Sequence, residues 1–139
     1  MSFSYKCVLM VGATSGIGLG MAEKLIREGS KVIAVGRRQD RIDDFVRKHG
    51  SKADGFAYDI NDAPNLNNFV QTVTTKHPDL DCLFLNAGIQ ATYDLTKPTQ
   101  VDLSAFHNEV SVNFTSFVNL SLAFLPFLQS QQYPTSIVL

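Results

Sequence analysis

Short apolar runs alternate with stretches of helical period along almost the whole chain, and this alternation restricts the fold more than any other feature. Tyr5 to Val11 (YKCVLMV) is a short, mainly apolar run, so it reads as a buried strand. At Ile17 the period changes. Ile17, Met21 and Leu25 recur every four residues, with Ala22 and Ile26 beside them, and Gly29 is placed to stop the helix in a left-handed cap. Lys31 to Val35 gives a second strand. Residues 40–49 (DRIDDFVRKH) give a helix with Ile42, Phe45, Val46 and His49 on one side, and residues 55–60 (GFAYDI) a third strand. Asp62 is positioned to cap a third helix carrying Leu66, Phe69, Val70 and Val73, with Pro64 tolerated in its first turn. Asp81 to Leu85 is a fourth strand, 89–101 a loop and about 103–128 one long helix. A fifth strand begins at Ser136. Strands with so little polar alternation belong to a parallel sheet covered on both faces. Right-handed crossovers then give an α/β fold, a three-layer doubly wound parallel sheet.

A chain of 139 residues, 45% hydrophobic and 18% charged, is long enough for one domain and too short for two, so residues 1–139 are expected to form a single domain. The net charge of −1 argues against nucleic acid or an anionic membrane as the main partner. The opening MSFSYKCVLMVGATSG lacks a long apolar run ending in a cleavage site. The expectation is therefore no signal peptide, no transmembrane span and a cytoplasmic protein. Cys7 and Cys82 lie far apart inside apolar runs and read as buried free thiols of a reducing compartment. His49, His77 and His107 lack metal-ligand spacing, and no metal site is expected.

The first strand runs into VGATSGIG, which puts Gly12, Gly16 and Gly18 between a strand and the start of a helix. Doubly wound folds bind dinucleotides there: glycines let the backbone approach a pyrophosphate, and the helix N-terminus offers free N–H groups and partial positive charge. The spacing is G-x3-G-x-G rather than the commoner G-x-G-x-x-G. The end of strand two selects the cofactor. An NAD site places a carboxylate there for the ribose hydroxyls. This chain has Gly36 instead, followed by Arg37 and Arg38. A carboxylate repels a 2′-phosphate, whereas arginine offers it a planar fork of donors, so NADP(H) is expected over NAD(H). The competing expectation is two solvated arginines paired with Asp40, Asp43 or Asp44.

These segments resemble the N-terminal half of a short-chain dehydrogenase/reductase, with its Rossmann-type NAD(P)-binding fold. GATSGIG (12–18), GRR (36–38), YDI (58–60), LNAG (85–88) and SVNF (111–114) fall in the family's order and at its intervals. The resemblance implies that Gly12, Ser15, Gly16, Ile17 and Gly18 line the pyrophosphate. It sets Arg37, with Arg38 as second candidate, against the 2′-phosphate, and Asp59 and Ile60 beside the adenine. Asn86, Ala87 and Gly88 then lie near the cofactor ribose, and Asn113 matches the family's active-site asparagine in a proton relay. Val11 departs from the family's frequent threonine. The implied activity is hydride transfer between NADP(H) and a small alcohol or carbonyl substrate.

The family's serine, and its tyrosine and lysine a helical turn apart, come after strand five. The expectation is a C-terminally shortened chain that holds the cofactor half, an incomplete sheet and no catalytic Ser/Tyr/Lys segment. The alternative expectation is a non-catalytic nucleotide-binding or dimerising module. Tyr93 and Lys97 share the family's catalytic spacing by coincidence, in a loop that Pro98 keeps from being helical. Asn113-Phe-Thr115 and Asn119-Leu-Ser121 match the glycosylation pattern but fall in a predicted buried helix. That helix is apolar all round and is expected to be buried all round, one face on the sheet and the other in a homo-oligomer interface.

Overall fold

The computed structural model describes residues 5–139; the first four residues, part of the stretch read as carrying no signal peptide, lie outside the described residues. Five strands, β1 (Cys7–Val11), β2 (Lys31–Gly36), β3 (Ala53–Ala57), β4 (Cys82–Leu85) and β5 (Ser136–Val138), form one parallel sheet in the order β3-β2-β1-β4-β5. The central strand β1 is at most 1% exposed at every residue.

Alternate side chains of the strands build two separate cores. Leu9, Val11, Ile33, Val35, Leu83 and Leu85 project to one face and meet Phe69 and Val73 of helix α3 (Leu66–Lys76). Helix α5 (Ser116–Gln129) covers the same face with Leu120, Phe124 and Leu128. Val8, Met10, Val32 and Ala34 project to the other face. They meet Ala22 and Leu25 of α1 (Gly16–Arg27) and Phe45 of α2 (Gln39–His49). Three layers follow, as the apolar runs imply. Cys7 and Cys82 are both 0% exposed and lie in opposite cores, so the sheet itself separates the two thiols.

Several boundaries differ from the sequence reading. Strand β1 begins at Cys7 rather than Tyr5, because the buried carboxylate of Asp81 accepts the Lys6 and Cys7 amides at 2.8 and 3.0 Å. Strand β3 begins and ends earlier than 55–60. Ala53 is buried in the α1/α2 core, while Tyr58 leaves the strand to stack on Phe69 with ring centroids 4.0 Å apart. Asp62 does not cap α3 in the expected way. A 3-10 turn (Ala63–Asn65) intervenes, and the Asp62 carboxylate accepts the Asn65 side-chain amide at 2.8 Å. In α1 the buried face is Gly18, Ala22 and Leu25, and Ile17 is 77% exposed.

The long helix is continuous in direction but not in type. It comprises α4 (Leu103–Val110), a π turn (Ser111–Thr115) and α5. Asp102 caps α4, its carboxylate accepting the Ser104 and Ala105 amides at 2.9 and 3.2 Å. The expected burial on all sides does not hold. Val112, Ser116, Leu120, Phe124 and Leu128 form the buried line, whereas Leu103, Phe106, Val110, Phe114, Val118, Leu122 and Leu125 form an exposed apolar line on the same helix. By length and composition alone Leu103–Gln129 is able to cross a membrane, although its buried line is packed on the sheet.

Candidate functional site

Strand order reverses between β1 and β4, and the crevice at the carboxyl ends of these strands is where open α/β sheets receive ligands. A cleft of about 690 Å³ opens there. Its lining includes Gly12, Ser15, Ile17, Gly18, Arg37, Arg38, Asp59, Ile60, Asn86, Ala87 and Gly88, residues drawn from four separate stretches of sequence. Gly16 is the first residue of α1 and adopts a φ of +56°. Thr14, Tyr58, Ile89 and Val112 also line the cleft and were not singled out in the sequence.

The floor of the cleft is backbone packed against backbone. Gly12 has φ +82°, and a Cβ added to it falls 2.7 Å from the Ala87 Cα. On Gly18 a Cβ falls 2.0 Å from the Gly12 carbonyl oxygen and 2.5 Å from Asn86 Nδ2. Neither position has room for a side chain. The loop is tied down by Gly12 N–H donating to the Val35 carbonyl at 2.8 Å and Asn86 N–H to the Val11 carbonyl at 3.1 Å. The N-terminus of α1 points into this cradle, and the side chain of Ser15, its first flanking residue, makes no capping bond. The first-turn N–H groups are therefore left for an anion.

One wall carries positive charge. Arg37 and Arg38 are exposed at the end of β2 and form no ion pair among the described residues. Two of the three acids that competed for them are committed elsewhere: Asp43 accepts from Gln39 at 2.8 Å, and Asp44 pairs with Arg47. A side chain on Gly36 would meet Thr14 Cγ2 at 2.9 Å, so Thr14 holds the end of β2 clear. Opposite, Asp59 accepts the Asn61 amide at 3.0 Å, and the Tyr58 hydroxyl donates to the Asp62 carbonyl at 2.6 Å, which fixes the 58–62 loop.

Asn113 lies in the π turn beside Val112 of the cleft lining; it is not itself in that lining but in a smaller adjoining pocket with Tyr93, Phe106 and Glu109. Its Oδ1 accepts the Ile89 N–H at 2.9 Å and its Nδ2 donates to the Ile89 carbonyl at 2.7 Å. One amide side chain thus fastens the strand β4 exit loop to the helix. Tyr93 has a different neighbour from the one a catalytic tyrosine needs. Its hydroxyl donates to the Glu109 carboxylate at 2.9 Å, and desolvation together with Glu109 raises its pKa above the ordinary phenol range. A lysine cation beside a tyrosine acts in the opposite direction. Residues 93 to 97 are not helical, so the family's spacing does not bring Tyr93 and Lys97 one helical turn apart.

The family model described as short chain dehydrogenase matches residues 6–139. The chain belongs to this family. The serine 3-dehydrogenase of Agrobacterium fabrum is 33% identical over 126 residues, covering 90% of this chain and 49% of that protein. A probable NADP-dependent dehydrogenase of Haemophilus influenzae is 31% identical over 125 residues, with the same coverage. A short-chain dehydrogenase structure from Streptomyces avermitilis superposes with a TM-score of 0.85 at 25% identity, covering 99% of this chain and 49% of that one. The chain thus spans about half the length of these short-chain dehydrogenase relatives.

Within the short-chain dehydrogenase fold, the glycine cradle, the uncapped helix N-terminus and the arginine wall fit a dinucleotide carrying phosphate groups. The cradle keeps this shape only because positions 12 and 18 have no side chain.

Proposed function

We propose that the chain is the cofactor-binding half of an NADP(H)-dependent short-chain oxidoreductase that exchanges hydride between the nicotinamide and a small alcohol or carbonyl compound. The observation that carries this reading is the pair of arginines, free of ion pairs, at the cleft wall next to a glycine where a carboxylate would be needed for NAD. Gly12, Ser15, Gly16, Ile17 and Gly18 bind the pyrophosphate. Arg37 binds the 2′-phosphate, with Arg38 beside it. Asp59 and Ile60 flank the adenine, and Asn86, Ala87 and Gly88 flank the ribose. The bound cofactor supplies or accepts the hydride; no residue among 1–139 is assigned as proton donor, and Asn113 positions the loop beside the cofactor. The reading includes 1–139 as a single partial domain, a cytoplasmic setting and a homo-oligomer formed through the exposed apolar line of the 103–128 helix.

Titration of the folded chain with 2′,5′-ADP tests this reading. Saturable binding that 5′-AMP matches only at much higher concentration is the expected result. An absence of any response by calorimetry and by NMR at Gly12–Gly18 overturns it.

A further inference from the structure

At the end of the sheet opposite the cleft, three residues distant in sequence come together. Cys7 opens β1, His77 ends α3, and Asp79 sits in the turn between α3 and β4. One ligand atom of each lies within 4.8 Å of the others. Five strand residues separate Cys7 from Gly12, so the cluster is about 16 Å from the glycine cradle.

The chemistry of this cluster is incomplete. His77 is 1% exposed, and its Nδ1 has no hydrogen-bond partner. Its other nitrogen, Nε2, lies 2.7 Å from the Asp54 carboxylate. Burial would raise Asp54, but Lys76, the Gly55 amide and His77 outweigh it and hold the group below the ordinary carboxylate range. Burial depresses His77. Nε2 is thus occupied by the Asp54 carboxylate, and Nδ1 is left without a partner in a dry place. A buried polar atom left unpaired in this way is unfavourable. The Cys7 thiol beside it is 0% exposed, and the exposed Asp79 carboxylate forms no bond or ion pair among the described residues.

We infer that Cys7 Sγ, His77 Nδ1 and the Asp79 carboxylate form a binding site for a divalent transition-metal ion of the zinc class. A thiolate, a carboxylate and a neutral imidazole carry two negative charges, which balance a divalent cation, and the S/N/O set is the one zinc takes. Asp54 orients the imidazole from behind, as carboxylates do for metal-bound histidines. Asp79 faces solvent and gives the ion its entry and its open fourth position. Ligands around a tetrahedral zinc lie roughly 3.5 Å apart, so binding draws the three ligand atoms together by up to about an ångström, and the exposed Asp79 side chain is free to move toward the ion. On binding, the Cys7 S–H proton leaves to solvent and the sulfur electron pair goes to the metal. Burial and the neighbouring Asp79 push the Cys7 thiol up to about 12, against a smaller opposing effect of Lys31, so the thiolate forms only together with the ion. The bound ion joins the start of β1 to the turn that enters β4.

The test uses the full 139-residue chain, stripped with a chelator and titrated with Co²⁺ alone and then Zn²⁺. One ion per chain is expected, with a thiolate-to-cobalt charge-transfer band, tetrahedral visible bands, release of a proton and displacement of cobalt by zinc. Cys7→Ser removes the charge-transfer band, and Cys82→Ser leaves it intact. Asp79→Asn, at an exposed position that does not threaten folding, weakens cobalt binding about 10-fold or more, and Asp54→Asn weakens it about 10–100-fold. Absence of stoichiometric binding, a cobalt spectrum without the thiolate band, or a band that follows Cys82 overturns the assignment.

Discussion

The Gly12 carbonyl oxygen lies 2.0 Å from where a Cβ on Gly18 would stand. The first turn of α1 and the loop leaving β1 are thus in backbone contact, and the cradle exists only while position 18 is glycine. Gly18→Ala is expected to force the loop apart. The cost is about 1–3 kcal/mol by analogy with overpacked cores, read as a lower thermal midpoint, and nucleotide binding should fall at least 10-fold. Unchanged midpoint and affinity would show that the loop yields freely.

Arg37 and Arg38 have no acidic partner among the described residues, whereas Arg47 and Lys48 of α2 each have one. Hydrogen bonds to charged groups contribute about 1.5–3 kcal/mol. Arg37→Asp is therefore expected to weaken NADPH binding on the order of 10–100-fold while NADH binding changes little. Fluorescence titration with both nucleotides checks this; equal losses would remove Arg37 from the phosphate site.

Leu122 and Phe114 are 64% and 67% exposed on the same apolar line of the long helix. Burying each such side chain against a second copy would contribute about 1.5–3 kcal/mol. Leu122→Glu should leave the thermal midpoint nearly unchanged and weaken self-association at least 10-fold in sedimentation velocity. A chain that is monomeric before and after the substitution rules out this face as the interface.

Asp102 caps α4. Its bonds from the Ser104 hydroxyl, then from the Ala105 and Ser104 amides, hold its pKa below the ordinary carboxylate value. A depressed folded pKa means stability that is present above the unfolded value of about 3.9 and is lost as pH falls through the folded one. Protection of the Ser104 and Ala105 amides against exchange, relative to the intrinsic rate at each pH, should therefore fall only in acid. Asp102→Asn, which keeps an acceptor, should flatten that dependence; an unaltered acid profile would place its origin elsewhere.

Cys82 is 0% exposed, and burial, reinforced by Asp81, pushes its thiol up to about 12. Its reaction with a thiol-selective disulfide reagent at mild pH is expected to be slower in the native protein than in denaturant by 100-fold or more. Comparable rates would show that this core opens readily.

The sequence by itself determined the layer order and the place of the cleft. Apolar runs with no polar alternation can only be strands covered on both sides, and glycines at 12, 16 and 18 mark where backbone must approach closely. The strand-two junction is readable without coordinates in the same way: Gly36 before Arg37 and Arg38 leaves no carboxylate at that position. Tertiary structure decided what depends on contacts between distant residues. Tyr58 ends β3 because its ring finds Phe69, Tyr93 loses its apparent catalytic character because Glu109 holds its hydroxyl, and Asn113 is bound to Ile89 across a π turn that no local pattern signals. The grouping of Cys7, His77 and Asp79 was equally hidden, since it arises from strand register and helix packing rather than from ligand spacing along the chain. Periodicity records which side of an element avoids water; it does not record which partner that side meets.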